Sequence, residues 1–395
     1  MIRPRLALLF LVVLLLTLNV TAQQAAAPRV IDLKASDGTL LKASYFAAAK
    51  PGPGVLLLHQ CNRQRKVWNE LAGQLAMAGI NVLTFDLRGF GESGGPPFDK
   101  LTPQENAQIQ TEKWPGDIDV AFQYLVSQPG VRRDVIGVGG ASCGVNNSIQ
   151  SARRHPAEVK SLVLLSGGTD LAGRRFLRER SQLPALFALA DDDEFVPTLS
   201  YVPWLFTVDS NPGKKYVHYA KGGHGADMFA VHPELRSVIV DWYLTTLVKT
   251  PGQAPAEKST EPALPSAQIL NEIDMSGGAG RVAGKLAEAR RSDPKAVIFP
   301  EAIVNLMGYE HMQAGDSKYA VEVMKLNVTA FPDSPNAYDS LSDAYLADGQ
   351  KELARQNAKK AIELLANDTS DPPARRDAIR DNAQMKLKQL GAAQP

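Results

Sequence analysis

Three residue types in this chain are placed where together they could break an acyl bond. Ser142 sits in Gly140-Ala141-Ser142-Cys143-Gly144, a G-x-S-x-G pattern at the end of an apolar run. The pattern predicts a sharp turn from strand into helix that lifts a serine hydroxyl into a pocket. The serine backbone is strained in such a turn, and side chains in place of the flanking glycines would collide with the crossing strand and helix. A serine hydroxyl is a poor nucleophile and needs a base to take its proton and an acid to orient that base. Downstream the chain supplies Asp191-Asp192-Asp193-Glu194 and then Lys221-Gly222-Gly223-His224-Gly225. Serine, acid, histidine is a workable chain order for such a triad. Of the six histidines, His155, His218 and His232 read as ordinary surface or core residues. His224 differs because glycines flank it on both sides, giving a loop that lets the ring reach a neighbour.

These residues need elements to hold them. The run 135–138 is short, apolar and β-branched, as a buried parallel strand requires. A helix is expected over 145–155, with Ile149 and Ala152 at helical spacing and Pro156 as the stop. A second buried strand follows at 159–165, so strand, turn, helix and strand form one parallel crossover unit. The segment 29–45 alternates around Ser36-Asp37-Gly38, a hairpin signal. Further strands are expected at 54–58, 80–85, 183–190 and 215–219, and helices at 67–78, 114–126 and 233–248. Strands alternating with helices, several of them apolar throughout, predict an α/β class with a doubly wound sheet covered on both faces.

The length of 395 residues leaves room for more than one domain, and a 44% hydrophobic composition supports a sizeable core. A net charge of +1 without runs of like charge argues against nucleic-acid partners or an anionic membrane surface. No Cys/His cluster has zinc spacing and no glycine loop is arranged for phosphate, so no metal or cofactor is expected. Arg3 and Arg5 precede an apolar run at 6–18, followed by Val20-Thr21-Ala22. That is the layout of a secretory signal peptide over 1–22. Its apolar core is short of the roughly 20 residues that span a bilayer, the alternative being an uncleaved anchor. The mature chain is expected to begin near Gln23, to be periplasmic or secreted, and to carry no membrane segment.

Residues 249–265 are rich in Pro, Ala and polar types with no period and read as a linker. Beyond it a helical pattern repeats. Gly308, Gly315 and Ala320 are followed about 34 residues on by Ser342, Gly349 and Ala354, and Pro332 closes the first copy.

Residues from about 30 to 248 resemble the α/β-hydrolase superfamily, most closely its dienelactone hydrolase-like group. The likeness rests on the Ser142 pattern, the later acid and histidine, and the loop Asp86-Leu87-Arg88-Gly89-Phe90-Gly91-Glu92-Ser93. It implies a structural role for Asp86 and Arg88. The usual spacing in the group, Asp, two residues, Val, Pro, selects Asp193 ahead of Val196-Pro197, with Asp192 as the alternative. The group also implies that His59-Gln60-Cys61 ends a strand beside the nucleophile. The backbone N–H groups of Cys61 and Cys143 would then form the oxyanion hole. Dienelactone hydrolases use cysteine as nucleophile and this chain has Ser142, which leaves lactone and simple ester both open. Cys143 as nucleophile would lose the glycine spacing. Two amides aimed at one oxygen put the only two cysteines within disulfide range, so Cys61 and Cys143 are either bridged or two buried thiols. The repeat at 266–392 resembles tetratricopeptide repeats and implies a protein partner.

The expected layout is a signal peptide 1–22, an α/β-hydrolase domain 28–248, a linker 249–265 and a helical repeat domain 266–392. The expected reaction is ester, lactone or related acyl hydrolysis of a small-molecule substrate through Ser142, Asp193 and His224. A peptidase of the same fold and a non-catalytic scaffold are the alternatives. The segment between Ser166 and Leu183 is short beside the lids of many lipases, which implies an open site. Arg174, Arg175, Arg178 and Arg180 fall in it, as a solvated helix face or as guides for an anionic substrate.

Overall fold

The computed structural model describes residues 27–253, 255, 264–369 and 371–392. The signal-peptide reading and most of the linker reading lie outside the described residues. Eight strands form one sheet: β1 (Arg29–Lys34), β2 (Leu40–Phe46), β3 (Gly52–Leu58), β4 (Asn81–Phe85), β5 (Val131–Ala141), β6 (Val159–Leu165), β7 (Ala185–Ala190) and β8 (Lys215–Tyr219). Their order is β1-β2-β4-β3-β5-β6-β7-β8. β1 and β2 pair antiparallel, as does β2 with β4, while all other pairs are parallel. β3, β4 and β7 are buried along their whole length. That explains their continuous Val, Leu and Phe content, since a strand covered on both faces has no solvent side.

The helices between and after these strands are α1 (Asn69–Met77), α2 (Pro103–Gln108), α3 (Trp114–Ser127), α4 (Cys143–Arg154), α5 (Leu171–Glu179), α6 (Thr198–Val208), α7 (Met228–Val231) and α8 (Glu234–Tyr243). They cover both faces. On one side Phe122, Ile149 and Leu205 join Leu56 and Phe187 in one core. On the other Leu71, Leu75, Ile239 and Tyr243 pack on Val55, Val163 and Leu186. The doubly wound sheet expected from the sequence is present.

The C-terminal third is all helix: α9 (Pro265–Ile273), α10 (Gly278–Ser292), α11 (Glu301–Gln313), α12 (Ser317–Ala330), α13 (Pro335–Ala347), α14 (Lys351–Leu365) and α15 (Pro373–Ala392). Small residues let paired helices close up. A side chain at Gly308 would come within 2.7 Å of Met324 on α12, and Ser342 Oγ donates to the Ala354 carbonyl across α13 and α14 at 2.8 Å. This unit is no tethered bead. Leu270 and Ile273 of α9 and Val304 and Met307 of α11 belong to the same continuous core as Val202, Leu205 and the sheet. Among the described residues no helix is long and apolar enough to cross a membrane.

Candidate active site

Parallel strands that pair in register end at the same edge, so the loops after them converge there. Leu58 lies beside Gly140, Ala141 beside Leu165, Leu165 beside Ala188, and Ala190 beside Tyr219. The turns after β3, β5, β7 and β8 are therefore neighbours. They carry Cys61, Ser142, Asp193 and His224, in that order.

Ser142 stands between β5 and α4 with φ 53° and ψ −120°, a backbone region that L residues avoid. The glycines around it are there for space. A Cβ at Gly140 would lie 2.1 Å from the Gly144 carbonyl oxygen, and one at Gly144 would lie 2.5 Å from that of Leu58. The elbow is therefore wedged against both the helix it starts and the strand beside it.

The three consecutive aspartates have three separate partners. Asp191 meets Nε2 of His218 at 2.7 Å. Asp192 accepts the backbone N–H groups of Gly222 and Gly223 at 2.7 and 2.9 Å. Asp193 has both carboxylate oxygens 2.9 Å from Nδ1 of His224. Asp192 thus ties down the histidine loop while Asp193 takes the ring itself. Burial pushes the Asp193 carboxyl up, but hydrogen bonds from His224 and the Phe195 N–H pull it down further, leaving it below the ordinary carboxylate value. An ionised Asp193 keeps the proton on Nδ1, and Nε2 is left as a base.

Cys143 opens α4, where the first N–H groups have no intrahelical acceptor. Cys61 lies in the turn after β3. The two are joined as a disulfide with Cα atoms 5.9 Å apart. Between them and the histidine runs a brace that the sequence reading passed over. Buried Gln60 accepts the Ala226 N–H at 2.7 Å, and its amide group donates to Asn62 at 2.9 Å and to the His224 carbonyl at 3.3 Å. Its position between His59 and Cys61 was the available signal. His59, fully buried, is used up structurally: Nδ1 faces the Gln60 carbonyl at 2.8 Å and Nε2 accepts the Leu87 N–H at 2.9 Å. Asp86 accepts the Arg65 and Glu92 backbone N–H groups at 2.7 and 3.0 Å, and Arg88 forks onto Asp117 at 2.9 and 2.8 Å. Both hold the loop and stand clear of the chemistry. His155 pairs with Asp119 at 3.0 Å and His232 with Glu234 at 2.9 Å, away from the nucleophile.

Ser142, Cys61, Cys143 and His224 line one cavity of about 570 Å³. Phe195, Tyr201, Leu306 and Glu310 also line it. The last two belong to α11, so the C-terminal unit supplies part of the wall, which the expectation of an open, nearly lidless site left out. Of the four arginines, Arg175 and Arg180 are exposed, as a solvated helix face would have them, while Arg174 and Arg178 are drawn inward. Arg174 is 1% exposed, stacked over Trp204 at 4.3 Å. It is bonded to Asp274 at 3.1 and 2.7 Å and to Glu310 at 2.7 Å. Arg178 binds Asn271 at 2.8 Å. Arg180 binds the Pro156 carbonyl at 2.7 Å. Arg174 and Arg178 dock the helical unit, and none of the four arginines lines the cavity. Among the described residues no cluster of three His, Cys, Asp or Glu side chains is spaced to hold a metal ion.

Residues 49–191 match the family model described as Serine aminopeptidase, S33. The thiohydrolase aneE of Aspergillus aculeatus is 28% identical over 123 residues, spanning 31% of this chain and 36% of that protein. Among solved structures, DcsB in complex with its substrate analogue aligns over 56% of this chain and 100% of its own, at 15% identity and a TM-score of 0.47. The dienelactone hydrolase of Anabaena variabilis aligns over 56% and 100%, at 17% identity and a TM-score of 0.43.

Proposed function

We propose that this protein, an α/β-hydrolase joined to a C-terminal all-helical unit, is a serine hydrolase that cleaves carboxylic esters or lactones. The observation that carries the reading is the pair of 2.9 Å contacts from Asp193 to Nδ1 of His224, in the same cavity as the strained Ser142. In this reading Nε2 of His224 takes the Ser142 proton as Oγ attacks the acyl carbon. The negative oxygen is met by the backbone N–H groups of Cys61 and Cys143, each worth about 3 kcal/mol. Collapse expels the alcohol, protonated by His224, and leaves Ser142 acylated. Water, activated by the same ring, then frees the acid and regenerates the serine.

The test is labelling by a fluorophosphonate probe, followed by a panel of p-nitrophenyl esters and lactones. Labelling and turnover that both vanish in Ser142→Ala are expected. A folded wild-type protein that neither labels nor turns over would leave only the scaffold alternative.

The match of residues 49–191 to a family described as a serine aminopeptidase favours a second reading, peptide-bond cleavage at the same serine. Aminoacyl anilides added to the panel separate the two. The thiohydrolase name of the partial relative makes a thioester the natural third arm.

We also infer export. Arg3 and Arg5 with the apolar run at 6–18 support it. So does the Cys61–Cys143 bridge, which suits an oxidising compartment. N-terminal sequencing of the protein recovered outside the cytoplasm is expected to begin near Gln23. An intact Met1 there would overturn the cleavage.

A further inference from the structure

Helix α11 presents two kinds of surface. Ile303, Val304 and Met307 are buried, at 3%, 0% and 0% exposure, in the core shared with the sheet. Leu306 and Glu310, one turn apart and next to Ile303 and Met307 on the helix surface, line the cavity that holds Ser142. Leu306 is 38% exposed, while Ile303 and Met307 beside it are buried. A single exposed apolar side chain is ordinary on a protein surface, but one that lines the cavity of the nucleophile is placed to meet what enters it.

The helix is fixed in place by contacts that are costly to break. Arg174 Nη2 donates to a Glu310 carboxylate oxygen at 2.7 Å, and Arg174 forks onto Asp274 at the end of α9. The arginine and Asp274 are both shut away from water, so removing one partner would leave a buried charge poorly compensated. Behind them, the Ala279 N–H donates to the Tyr319 hydroxyl at 3.2 Å and joins α10 to α12. Leu306 therefore stands on a rigid support.

The same cavity is lined by Tyr201 on α6 and Phe195 in the turn before it. Phe195 lies 5.9 Å from the His224 ring, centroid to centroid. The cavity lining holds no lysine or arginine, and its charged members are the carboxylates Asp170, Glu194 and Glu310.

We propose that the C-terminal helical unit is a built-in cap of the hydrolase, and that Leu306 sets the bulk of the apolar substrate group the site admits. The inference rests on the serine-hydrolase reading above. It assigns the helices a part in substrate choice, whatever else they bind.

The experiment measures kcat/KM of the full-length protein on two series. In one the acyl group grows from acetate to octanoate on a constant p-nitrophenol. In the other the alcohol grows from phenol to naphthol on a constant acetate. Leu306→Trp is expected to lower the large-to-small ratio by about tenfold or more in at least one series, and Leu306→Ala to raise it in the same series. Circular dichroism checks the fold of each variant. Should the tryptophan variant not fold, the alanine variant decides alone.

Ratios unchanged within about twofold in both series, from a folded variant whose turnover still depends on Ser142, overturn the cap and leave the serine hydrolase standing. A wild-type protein that turns over neither series overturns the ester-cleaving reading, and the cap falls with it.

Discussion

Cys61 and Cys143 tie the turn after β3 to the first residue of α4, their Cα atoms 5.9 Å apart across a sequence separation of 82 residues. The bridge spans the two amides assigned to the oxyanion, so it fixes the distance between them. Opening it is expected to lower kcat more than it raises KM, because the charged intermediate needs both donors at once. Cys61→Ala with Cys143→Ala is expected to cost about 4 kcal/mol of stability from loop closure alone. Denaturant melts and steady-state kinetics measure both. Alkylation of the unfolded wild type without reductant should add no mass, and two added groups would remove the bridge from the account.

Asp192 and Asp193 are adjacent and separable. Asp193→Asn leaves the shape intact but no longer holds the Nδ1 proton of His224, and kcat is expected to fall about a thousandfold or more. Asp192→Asn keeps an acceptor for the Gly222 and Gly223 amides, and kcat is expected to stay within about threefold. Equal losses in both variants would mean that the two carboxylates act as one unit.

Strain at Ser142 is expected to show as a stability gain when it is released. Glycine tolerates φ 53° and alanine does not. Ser142→Gly is therefore expected to melt higher than Ser142→Ala by about 1–3 kcal/mol, both variants being inactive. Thermal melts of the pair isolate the backbone term, and identical melting temperatures would mean that the turn carries no such cost.

Asp209 is buried and its carboxyl is pushed up to about 7, burial outweighing the Asn211 N–H and the Lys214 charge. A carboxyl whose folded pKa lies above its unfolded value binds more protons when folded. Its contribution is then fully present below the unfolded value, near 4, and is lost as pH rises through about 7. Asp209→Asn, which cannot ionise, is expected to gain on the wild type by about 2 kcal/mol or more between acid and pH 8. Stability curves that stay parallel over that range would contradict it.

The sheet was legible because strands buried on both faces have to be apolar throughout, as at Leu56-Leu57-Leu58 and Leu186-Phe187-Ala188. His224 was legible from its glycines and Asp193 from its spacing ahead of Val196-Pro197. What failed depended on distant partners. Arg174 reads as a surface residue until Asp274 and Glu310 arrive from 100 and 136 residues away to neutralise it. Helix α6 was hidden by Pro203 in its interior, which a local reading takes as a stop. Gln60 was marked only by its place between His59 and Cys61, since its partners Ala226 and His224 lie on a loop some way down the chain.

The shared core also sets an order of events as the chain is made. The sheet emerges from the ribosome first, with Val202, Leu205 and Phe206 of α6 already in place. Their cover, Leu270 and Ile273 and the helices behind them, comes last. At translation rates of about 5–20 residues per second, the gap is on the order of ten seconds. For that interval the nascent protein carries a naked apolar stripe beside a finished sheet, a surface that chaperones or sister chains can seize. A message cut short after α8 would strand the product in that state, so the tail closes the fold as a late seal.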